Sequence, residues 1–346
     1  MTTNIRFVVG SIKMTDILLE IKHLVKTYEP VGLLQKLKQQ YEPYPSISNI
    51  NLSLYKGESL GLIGESGSGK TTLGKCLVKL ETITSGNIHL FGQNITRLNE
   101  RKFRSFRKNI QMIFQDLDAA LNPNMKIHQT LKEVLARHQT LSQPDLDKRL
   151  LELMIDVNLE ENILYRYPSE LSGGQKRRIA IAAVLAINPK IIIADEPTTG
   201  LDSYTQTLIM QLLANMQKRR GLSILFISHD LQLVKQYCQR IAVLYLGNIV
   251  EIANTEKITS HAAHPYTRLL WNTHLGQRAH TKPENISHDI RSGLYDYRRP
   301  QTGCQFSPRC DRYKEMGKPA ICTSKTKPKL TFIGKNHQVA CHFQLV

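Results

Sequence analysis

Long apolar stretches are scarce in this sequence. The longest uninterrupted run spans nine residues, from Ile179 to Ile187, whereas a membrane-spanning helix needs roughly 20. We therefore expect no segment that crosses a bilayer. The N-terminus lacks the apolar core of a secretory signal and the Arg/Ser-rich composition of a transit peptide, so we expect a cytoplasmic protein that starts at Met1 or at Met14.

Acidic residues are also few. The 346 residues include 46 Lys and Arg against 29 Asp and Glu, which gives a net charge of +17 with histidine neutral. The 41 % of hydrophobic residues suits a globular protein with a substantial core and argues against a disordered chain. The surplus charge alone leaves open nucleic acid, an anionic membrane surface or simple solubility.

Cysteines are rare until the last 43 residues, which contain four of the six with the spacing C-x5-C-x11-C-x18-C. Disulfides are disfavoured in the cytosol, where clustered thiols more often hold a metal. Four thiolates suit either tetrahedral zinc or an iron–sulfur cluster, although the C-x2-C pairs of zinc ribbons are absent. Cys76 and Cys238 lie in helix-like segments and are expected to be core residues.

Strand-like and helix-like segments alternate along the chain. The pattern predicts strands over 16–23, 51–55, 59–63, 191–194 and 223–227, and helices from residue 70 and over 145–158, 174–187 and 204–219. Such alternation, with several strands apolar throughout, favours a mainly parallel sheet covered on both faces. Residues 29–45 are predicted to form a loop and 272–303 a linker.

A glycine-rich motif follows the second of two closely spaced strands. Residues 64–72, Gly-Glu-Ser-Gly-Ser-Gly-Lys-Thr-Thr, fit the pattern G-x-x-x-x-G-K-[ST] between a strand and a helix. Backbone N–H groups of such a loop turn toward phosphate, and the helix N-terminus adds its positive dipole end. Lys70 is expected to reach the β- and γ-phosphates and Thr71 to ligate Mg²⁺. The motif predicts a nucleotide site.

A second motif ends the apolar strand over 191–194 with two acids, Asp195 and Glu196. Carboxylates at the end of a P-loop sheet are positioned for magnesium and water. We expect Asp195 to hold Mg²⁺ through water and Glu196 to act as the general base.

The segment Leu171-Ser172-Gly173-Gly174-Gln175 precedes that strand, and in this order it resembles the signature of ABC ATPases. Three further landmarks of that family match in order: Gln115 the Q-loop, Gly200-Leu201-Asp202 the D-loop and His229 the switch histidine. Tyr28 is the best candidate to stack on adenine, with an ordinary surface aromatic as the alternative. The resemblance covers about residues 16–270. It implies the following roles: catalysis by Glu196, His229 and Lys70; ATP binding by Tyr28, Gly64, Glu65, Ser66, Gly67, Ser68, Gly69, Lys70, Thr71, Thr72 and Gln115; Mg²⁺ binding by Thr71, Gln115 and Asp195; a D-loop role for Asp202; and action on a partner's ATP by Ser172, Gly173, Gly174 and Gln175.

The resemblance also implies the architecture. We expect an α/β fold of the ABC-type P-loop NTPases, with a mainly parallel sheet core, an antiparallel β subdomain, a helical subdomain over about 116–172 and a small Cys-rich C-terminal extension. The expected division is an N-terminal extension 1–15, the ATPase domain 16–270, and the linker and extension 271–346. Because ABC ATPases work as head-to-tail pairs, a second ATPase subunit, expected to be a paralogue, completes each ATP site.

Two C-terminal stretches narrow the group. His264-Pro265-Tyr266-Thr267 and the segment 303–310, Gly-Cys-Gln-Phe-Ser-Pro-Arg-Cys, resemble the oligopeptide/dipeptide importer family. That family implies an ATP-hydrolysing subunit that powers peptide import and is peripheral at the cytoplasmic face of the inner membrane. Its implied partners are two transmembrane permeases, which an external binding protein supplies with peptide, and no nucleic acid is expected. The alternatives are a related importer of nickel or cationic antimicrobial peptides and, less favoured, a soluble ABC ATPase of translation or DNA maintenance.

The family resemblance also bears on the cysteines and on one loop. It implies a [4Fe–4S] cluster, with zinc as the alternative, on the four C-terminal cysteines, Cys304, Cys310, Cys322 and Cys341. The sequence departs from the family at residues 117–120, Leu-Asp-Ala-Ala, where a proline and a serine are usual. That departure faces the transporter-coupling surface and bears on which permease, and so which substrate, is used.

Overall fold

The computed structural model describes residues 17–28, 45–115, 121–138, 141–274 and 302–345. Four predictions fall outside these ranges: the extension 1–15 with its two possible starts, most of the loop 29–45, the departure at 117–120, and most of the linker 272–303. The chain divides into two compact units. The first comprises the described residues of Met1–Glu20, Ser53–Ser59 and His89–Ser228, and the second those of Ile21–Leu52, Leu60–Ile88 and His229–Val346.

The strands and helices of the described ranges follow in chain order. The strands are β1 Ile17–Thr27, β2 Pro45–Tyr55, β3 Ser59–Ile63, β4 Ser85–Leu90, β5 Gln93–Asn94, β6 Ile110–Ile113, β7 Ile191–Asp195, β8 Ser223–Ile227, β9 Arg240–Tyr245, β10 Asn248–Asn254, β11 Thr331–Gly334 and β12 His337–Val339. The helices are α1 Lys70–Leu77, α2 Glu100–Arg107, α3 Ile127–Ala136, α4 Gln143–Asp156, α5 Gly173–Ala186, α6 Ser203–Arg220, α7 Leu231–Tyr237, α8 Thr255–Ser260, α9 Pro265–His274 and α10 Asp311–Glu315.

In the first unit, β6, β7 and β8 form parallel pairs in the order β8-β7-β6. Every residue of β7 and β8 is buried, as expected for parallel strands covered on both faces. Helices α3 and α4 pack against each other and against α5, which also contacts β6. The predicted mainly parallel, helix-covered sheet is therefore confirmed, and the predicted helices over 145–158, 174–187 and 204–219 shift by only one or two residues.

The second unit contains the strand order β11-β12-β10-β9-β3. Strand β3 runs parallel to β9, whereas β9–β10, β10–β12 and β11–β12 are antiparallel. The C-terminal hairpin β11–β12 thus extends the sheet whose strand β3 leads into the glycine-rich loop. The predicted domain boundary at residue 270 stays a prediction, but the tail is not structurally separate, because β12 pairs directly with β10.

A four-stranded sheet has the order β2-β1-β4-β5, with β4 and β5 antiparallel. Burial alternates along much of β1 and β2, because successive side chains of a strand point to opposite faces. Both strands are longer than predicted: β1 reaches Thr27 and β2 begins at Pro45. The early part of β2 is rich in Ser and Asn on its solvent side, while Ile47 and Ile50 are completely buried.

Candidate functional site

The glycine-rich loop connects β3 to α1 in the second unit. Gly64 has a φ of 156°, and a Cβ there would collide with the Leu244 carbonyl on β9 and lie 2.9 Å from Ser68 Oγ. Only glycine fits this close approach. The amide of Gly247 donates to the Ser68 carbonyl at 2.9 Å, so the turn after β9 supports the loop. The sequence therefore builds a narrow backbone cradle at the N-terminus of α1.

Lys70 is folded over this cradle. Its side chain is buried, and its Nζ donates to the carbonyls of Gly64 at 2.8 Å and Glu65 at 2.9 Å. The ammonium therefore lies against the loop that the motif predicts to bind phosphate. Thr72 Oγ1 accepts a hydrogen bond from Ser46 Oγ at the start of β2, at 3.2 Å. Hydrogen bonds within the second unit therefore fix both Lys70 and Thr72 at the loop.

Tyr28 follows β1 in the same unit. The residue is 43 % exposed, and Lys26 Nζ lies over its ring, 4.6 Å from the centroid. Lys26 also pairs with Glu81 at 3.2 Å, so the ammonium is fixed over one face of the ring. An exposed ring held in this way is available for stacking, and the adenine-binding role of Tyr28 stays a prediction.

His229 and Asp230 lie immediately before α7. His229 is exposed, and Asp230 caps the helix by accepting from the amides of Gln232 at 2.9 Å and Leu233 at 3.1 Å. This cap fixes the backbone just after the predicted switch histidine. The catalytic role of His229 stays a prediction.

In the first unit, the paired acids end strand β7. Asp195 is 2 % exposed. Glu196 adopts a φ of 48°, in the left-handed region that non-glycine residues seldom occupy. Its amide donates to the Ile227 carbonyl at 2.9 Å, and its Oε2 accepts from Thr199 Oγ1 at 2.6 Å. Backbone strain held by specific contacts is a common property of functional positions, which agrees with the role predicted for Glu196.

The signature segment forms the N-terminus of α5. Ser172 Oγ accepts from the Gln175 amide at 3.3 Å and Gln175 Oε1 accepts from the Ser172 amide at 3.0 Å, which is a complete capping box. A Cβ at Gly174 would lie 2.9 Å from Thr205 Cγ2 on α6. Glycine therefore lets the starts of α5 and α6 approach closely.

The D-loop residue Asp202 caps α6, because its Oδ1 accepts from the Thr205 amide at 2.9 Å. Hydrogen bonding to Thr205 lowers the pKa of the Asp202 carboxyl. The starts of α5 and α6 also border an open pocket of about 400 Å³, whose lining includes Ser172, Gly174, Arg178 and Tyr204. The structure thus brings the signature and D-loop together at one surface of the first unit.

Arg177 joins two predicted motifs that are far apart in sequence. Its guanidinium donates from Nη1 to the Pro197 carbonyl at 2.6 Å and from Nη2 to the Gln115 carbonyl at 3.2 Å. One side chain on α5 therefore ties the Q-loop residue to the segment after Glu196. The sequence does not predict this contact, because it carries no signal for pairing between residues 62 positions apart.

The four C-terminal cysteines line one cavity in the second unit, together with Phe306, Arg312 and His342. All four are free thiols. Burial, together with the smaller effect of the neighbouring cysteines, raises the pKa of Cys304 to about 11 and of Cys341 to about 12. Burial also raises the pKa of Cys310 and Cys322. The thiols are therefore protonated at neutral pH unless a cation draws off their protons.

Within the described ranges, no set of three or more His, Cys, Asp or Glu side chains is grouped closely enough to hold a metal ion. A zinc site would bring four sulfurs to about 3.8 Å from one another, given Zn–S bonds of about 2.3 Å. The same cavity is lined by Arg312 and His342, whose buried Nε and Nε2 atoms have no hydrogen-bond partner in the described part of the chain. The cluster or zinc expected on the four cysteines stays a prediction.

Cys76 and Cys238 behave as predicted for core residues. Both are buried, Cys76 within α1 and Cys238 immediately after α7. Neither lines the cavity of the four C-terminal cysteines.

The predicted site residues fall into two sets. The second unit contains Tyr28, the P-loop, His229 and the four cysteines, whereas the first contains Gln115, the signature, Asp195, Glu196 and Asp202. Within each unit the structure gives these residues defined neighbours, and their individual roles in ATP chemistry stay predictions.

Comparison with known proteins gives the family. The sequence model of the ABC transporter family matches residues 47–199, and that of the oligopeptide/dipeptide transporter C-terminal region matches residues 250–316. The chain is 37 % identical over 332 residues to the oligopeptide transport ATP-binding protein AppF of Bacillus subtilis, covering 94 % of this chain and 97 % of the relative. It is 35 % identical over 331 residues to OppF of Haemophilus influenzae, with the same coverage. The chain belongs to the oligopeptide/dipeptide group of ABC transporter ATP-binding proteins.

Solved structures of ABC ATPase cassettes are similar to this chain, which agrees with the family assignment. A dimeric ATP-binding cassette in a post-hydrolysis state, bound to ADP and Pi, is 30 % identical with a TM-score of 0.61, covering 68 % of this chain and 98 % of that one. The protein cbiO1 of Clostridium perfringens, part of an ABC transporter complex, is 26 % identical with a TM-score of 0.63, covering 80 % and 99 %. The ABC ATPase fold predicted from the motifs is thus confirmed, and ATP with Mg²⁺ is the expected chemistry of this ABC ATPase. No helix in the described ranges is both long enough and apolar enough to span a membrane.

Proposed function

We propose that this ABC ATPase powers the import of oligopeptides or dipeptides. The observation that carries the proposal is the match of residues 250–316 to the C-terminal region of oligopeptide/dipeptide transporters, next to an ABC ATPase core. Relatives named for oligopeptide transport align along almost the whole chain.

We assign the ATP chemistry as the motifs predict. The P-loop, residues 64–72, binds the phosphates, and Tyr28 stacks on adenine. Thr71, Gln115 and Asp195 hold Mg²⁺, while Glu196 acts as general base and His229 assists. The buried Lys70 over the loop carbonyls and the strained Glu196 backbone support this assignment.

The partners follow from the same proposal. The signature residues 172–175 and Asp202 of this chain contact the ATP bound by a second ATPase subunit, which is expected to be a paralogue. The open pocket beside the signature supports such an interface. Two transmembrane permeases and an external peptide-binding protein complete the importer. This arrangement puts the ATPase domain, residues 16–270, and its Cys-rich extension at the cytoplasmic face of the inner membrane.

We also propose that Cys304, Cys310, Cys322 and Cys341 together hold a [4Fe–4S] cluster. The shared cavity and the unpaired nitrogens of Arg312 and His342 support a group that accepts hydrogen bonds. Such a group would hold the short tail together, as metal sites do in small modules. Anaerobically purified protein should contain iron and sulfide, and Cys322→Ser should lose both while the core variant Cys76→Ser keeps them. Zinc without iron would contradict the cluster.

The test of function is reconstitution. The ATPase is purified from native membrane with its co-purifying subunits, placed in proteoliposomes, and supplied with the binding protein, Mg²⁺ and ATP. Uptake of a labelled peptide should require ATP and should vanish with Lys70→Ala, while Lys56→Ala, an exposed lysine in the turn before β3, serves as the matched control. Uptake of nickel instead of peptide, or co-purification with ribosomes or DNA only, would refute the proposal.

A further inference from the structure

Glu65, an unspecified position of the P-loop motif, is held at each of its polar groups. Its amide donates to Tyr266 Oη at 3.1 Å, and its carbonyl accepts from Lys70 Nζ at 2.9 Å. Its carboxylate forms a bidentate pair with Arg309, Nη1 to Oε2 at 3.0 Å and Nη2 to Oε1 at 2.9 Å. Two of these partners, Tyr266 and Arg309, come from the C-terminal part of the chain, 201 and 244 residues away. The first turn of the P-loop is therefore fixed from outside the motif.

The guanidinium of Arg309, which pairs with Glu65, is largely buried and lies among aromatic rings. Arg309 ends the 3₁₀ turn Ser307–Arg309, next to Cys310. Its side chain is only 18 % exposed, whereas that of Glu65 is 39 % exposed, so solvent reaches the pair mainly from the Glu65 side. The guanidinium carbon also lies 5.9 Å from the ring centroids of Tyr245 and of Phe306. Hydrogen bonding to Glu65 raises the pKa of Arg309 above its ordinary value, and paired fork-to-fork geometry fixes the carboxylate in one orientation.

An aromatic cluster of Tyr245, Tyr266 and Phe306 holds Arg309 in this position. The ring centroids of Tyr245 and Tyr266 are 4.5 Å apart, and Phe306 lies 5.4 Å from each. All three rings are at least 97 % buried. The cluster joins the end of β9, helix α9 and the turn that bears the first two C-terminal cysteines. The turn with Arg309 is therefore anchored to the same unit as the P-loop.

We propose that Arg309 is a positioning residue for ATP binding, acting through Glu65. A P-loop binds phosphate with backbone N–H groups, which must already point inward for the loop to bind at little ordering cost. By holding the Glu65 carboxylate while Tyr266 holds its amide, Arg309 keeps the loop in one conformation. The C-terminal tail therefore sets the affinity of the P-loop for nucleotide. This inference rests on the proposed assignment of residues 64–72 as the ATP site.

The experiment is a double-mutant cycle on the full-length chain, read by titration with a fluorescent ATP analogue in the presence of Mg²⁺. Arg309→Gln and Glu65→Gln are each expected to raise Kd about tenfold, which corresponds to about 1.4 kcal/mol. The double variant should be no weaker than either single variant, because both remove the same contact. Arg309→Lys, which keeps the charge but loses the bidentate fork, should recover part of the affinity. Lys314→Gln removes an exposed positive charge from the same tail and should leave Kd within about twofold.

Two outcomes would overturn the inference. If Arg309→Gln binds like Lys314→Gln, or if the two single effects add in the double variant, Arg309 does not act through Glu65. A purely structural role would lower the thermal midpoint of Arg309→Gln without any coupling to Glu65→Gln in Kd. If Arg309→Gln folds poorly, Glu65→Gln tests the same contact, because it removes the ion pair without changing any residue of the C-terminal tail. Lys70→Ala separates the two proposals. Normal ATP binding by this variant would refute the assignment of the ATP site, and the inference about Arg309 with it. Loss of ATP binding in Lys70→Ala, combined with normal binding by the Arg309 variants, would refute the inference alone.

Discussion

The buried carboxylate of Glu251 should be one of the largest single contributors to the stability of the second unit. Glu251 lies on β10 with no exposed surface. Its Oε1 accepts from the Ala263 amide at 2.8 Å and from His337 Nε2 at 2.7 Å, and its Oε2 accepts from the His264 amide at 2.9 Å. One side chain thus joins β10 to the start of α9 and to the tail strand β12.

The substitution Glu251→Gln keeps the shape but removes the charge and one acceptor. Whichever way the amide is turned, its NH₂ group faces either the His264 amide or the Ala263 amide and His337, so at least one buried donor loses its acceptor. Hydrogen bonds to charged groups contribute about 1.5–3 kcal/mol each, and breaking a buried pair costs about 3–5 kcal/mol. Because glutamine retains one acceptor oxygen, we expect a loss of about 3 kcal/mol.

Trp271 provides the assay, because it is the only tryptophan of the chain and is buried in α9. Its fluorescence during urea unfolding should report on the unit that contains Glu251. With a slope of about 2 kcal/mol per M of urea, the midpoint should fall by about 1.5 M. Glu256→Gln, an exposed acid five residues later, should leave the midpoint nearly unchanged. Equal midpoints for the two variants would refute the reasoning.

Three further predictions concern single groups. Glu196→Gln should abolish ATP hydrolysis and favour an ATP-bound dimer, seen by size-exclusion chromatography; unchanged turnover would exclude Glu196 as base. Ser172→Ala removes the α5 cap, so the thermal midpoint should fall by the equivalent of about 1 kcal/mol. Burial lowers the pKa of His264 from 6.5 to about 4, so below pH 6.5 the unfolded chain binds the extra proton first. The free energy of unfolding should therefore decline between pH 6.5 and 4, by up to about 3 kcal/mol. The decline should be less steep in His264→Asn, because Glu251 and His337 are present in both proteins and only the His264 ring is lost.

The sequence predicts elements whose cause is local. An apolar run such as 191–194 can only be a buried strand or helix segment, and its length and flanking acids favour the strand that the structure contains. The box of Ser172 and Gln175 is likewise formed between residues three positions apart. Long-range side-chain pairs leave no such pattern. Glu65 occupies a position of the P-loop motif where any residue is allowed, so nothing nearby indicated its pairing with Arg309.

The C-terminal tail owes its place to three contacts of different physical kinds. Strand β12 supplies backbone hydrogen bonds to β10, which would otherwise present an open edge. His337 on that strand supplies a donor to the buried Glu251 carboxylate. Arg309 supplies a charge to Glu65 in the P-loop. A tail that served only to hold a metal group would need none of these contacts. Because all three end on the second unit, which carries the P-loop, the tail is better understood as a structural part of that unit than as an appendage to it.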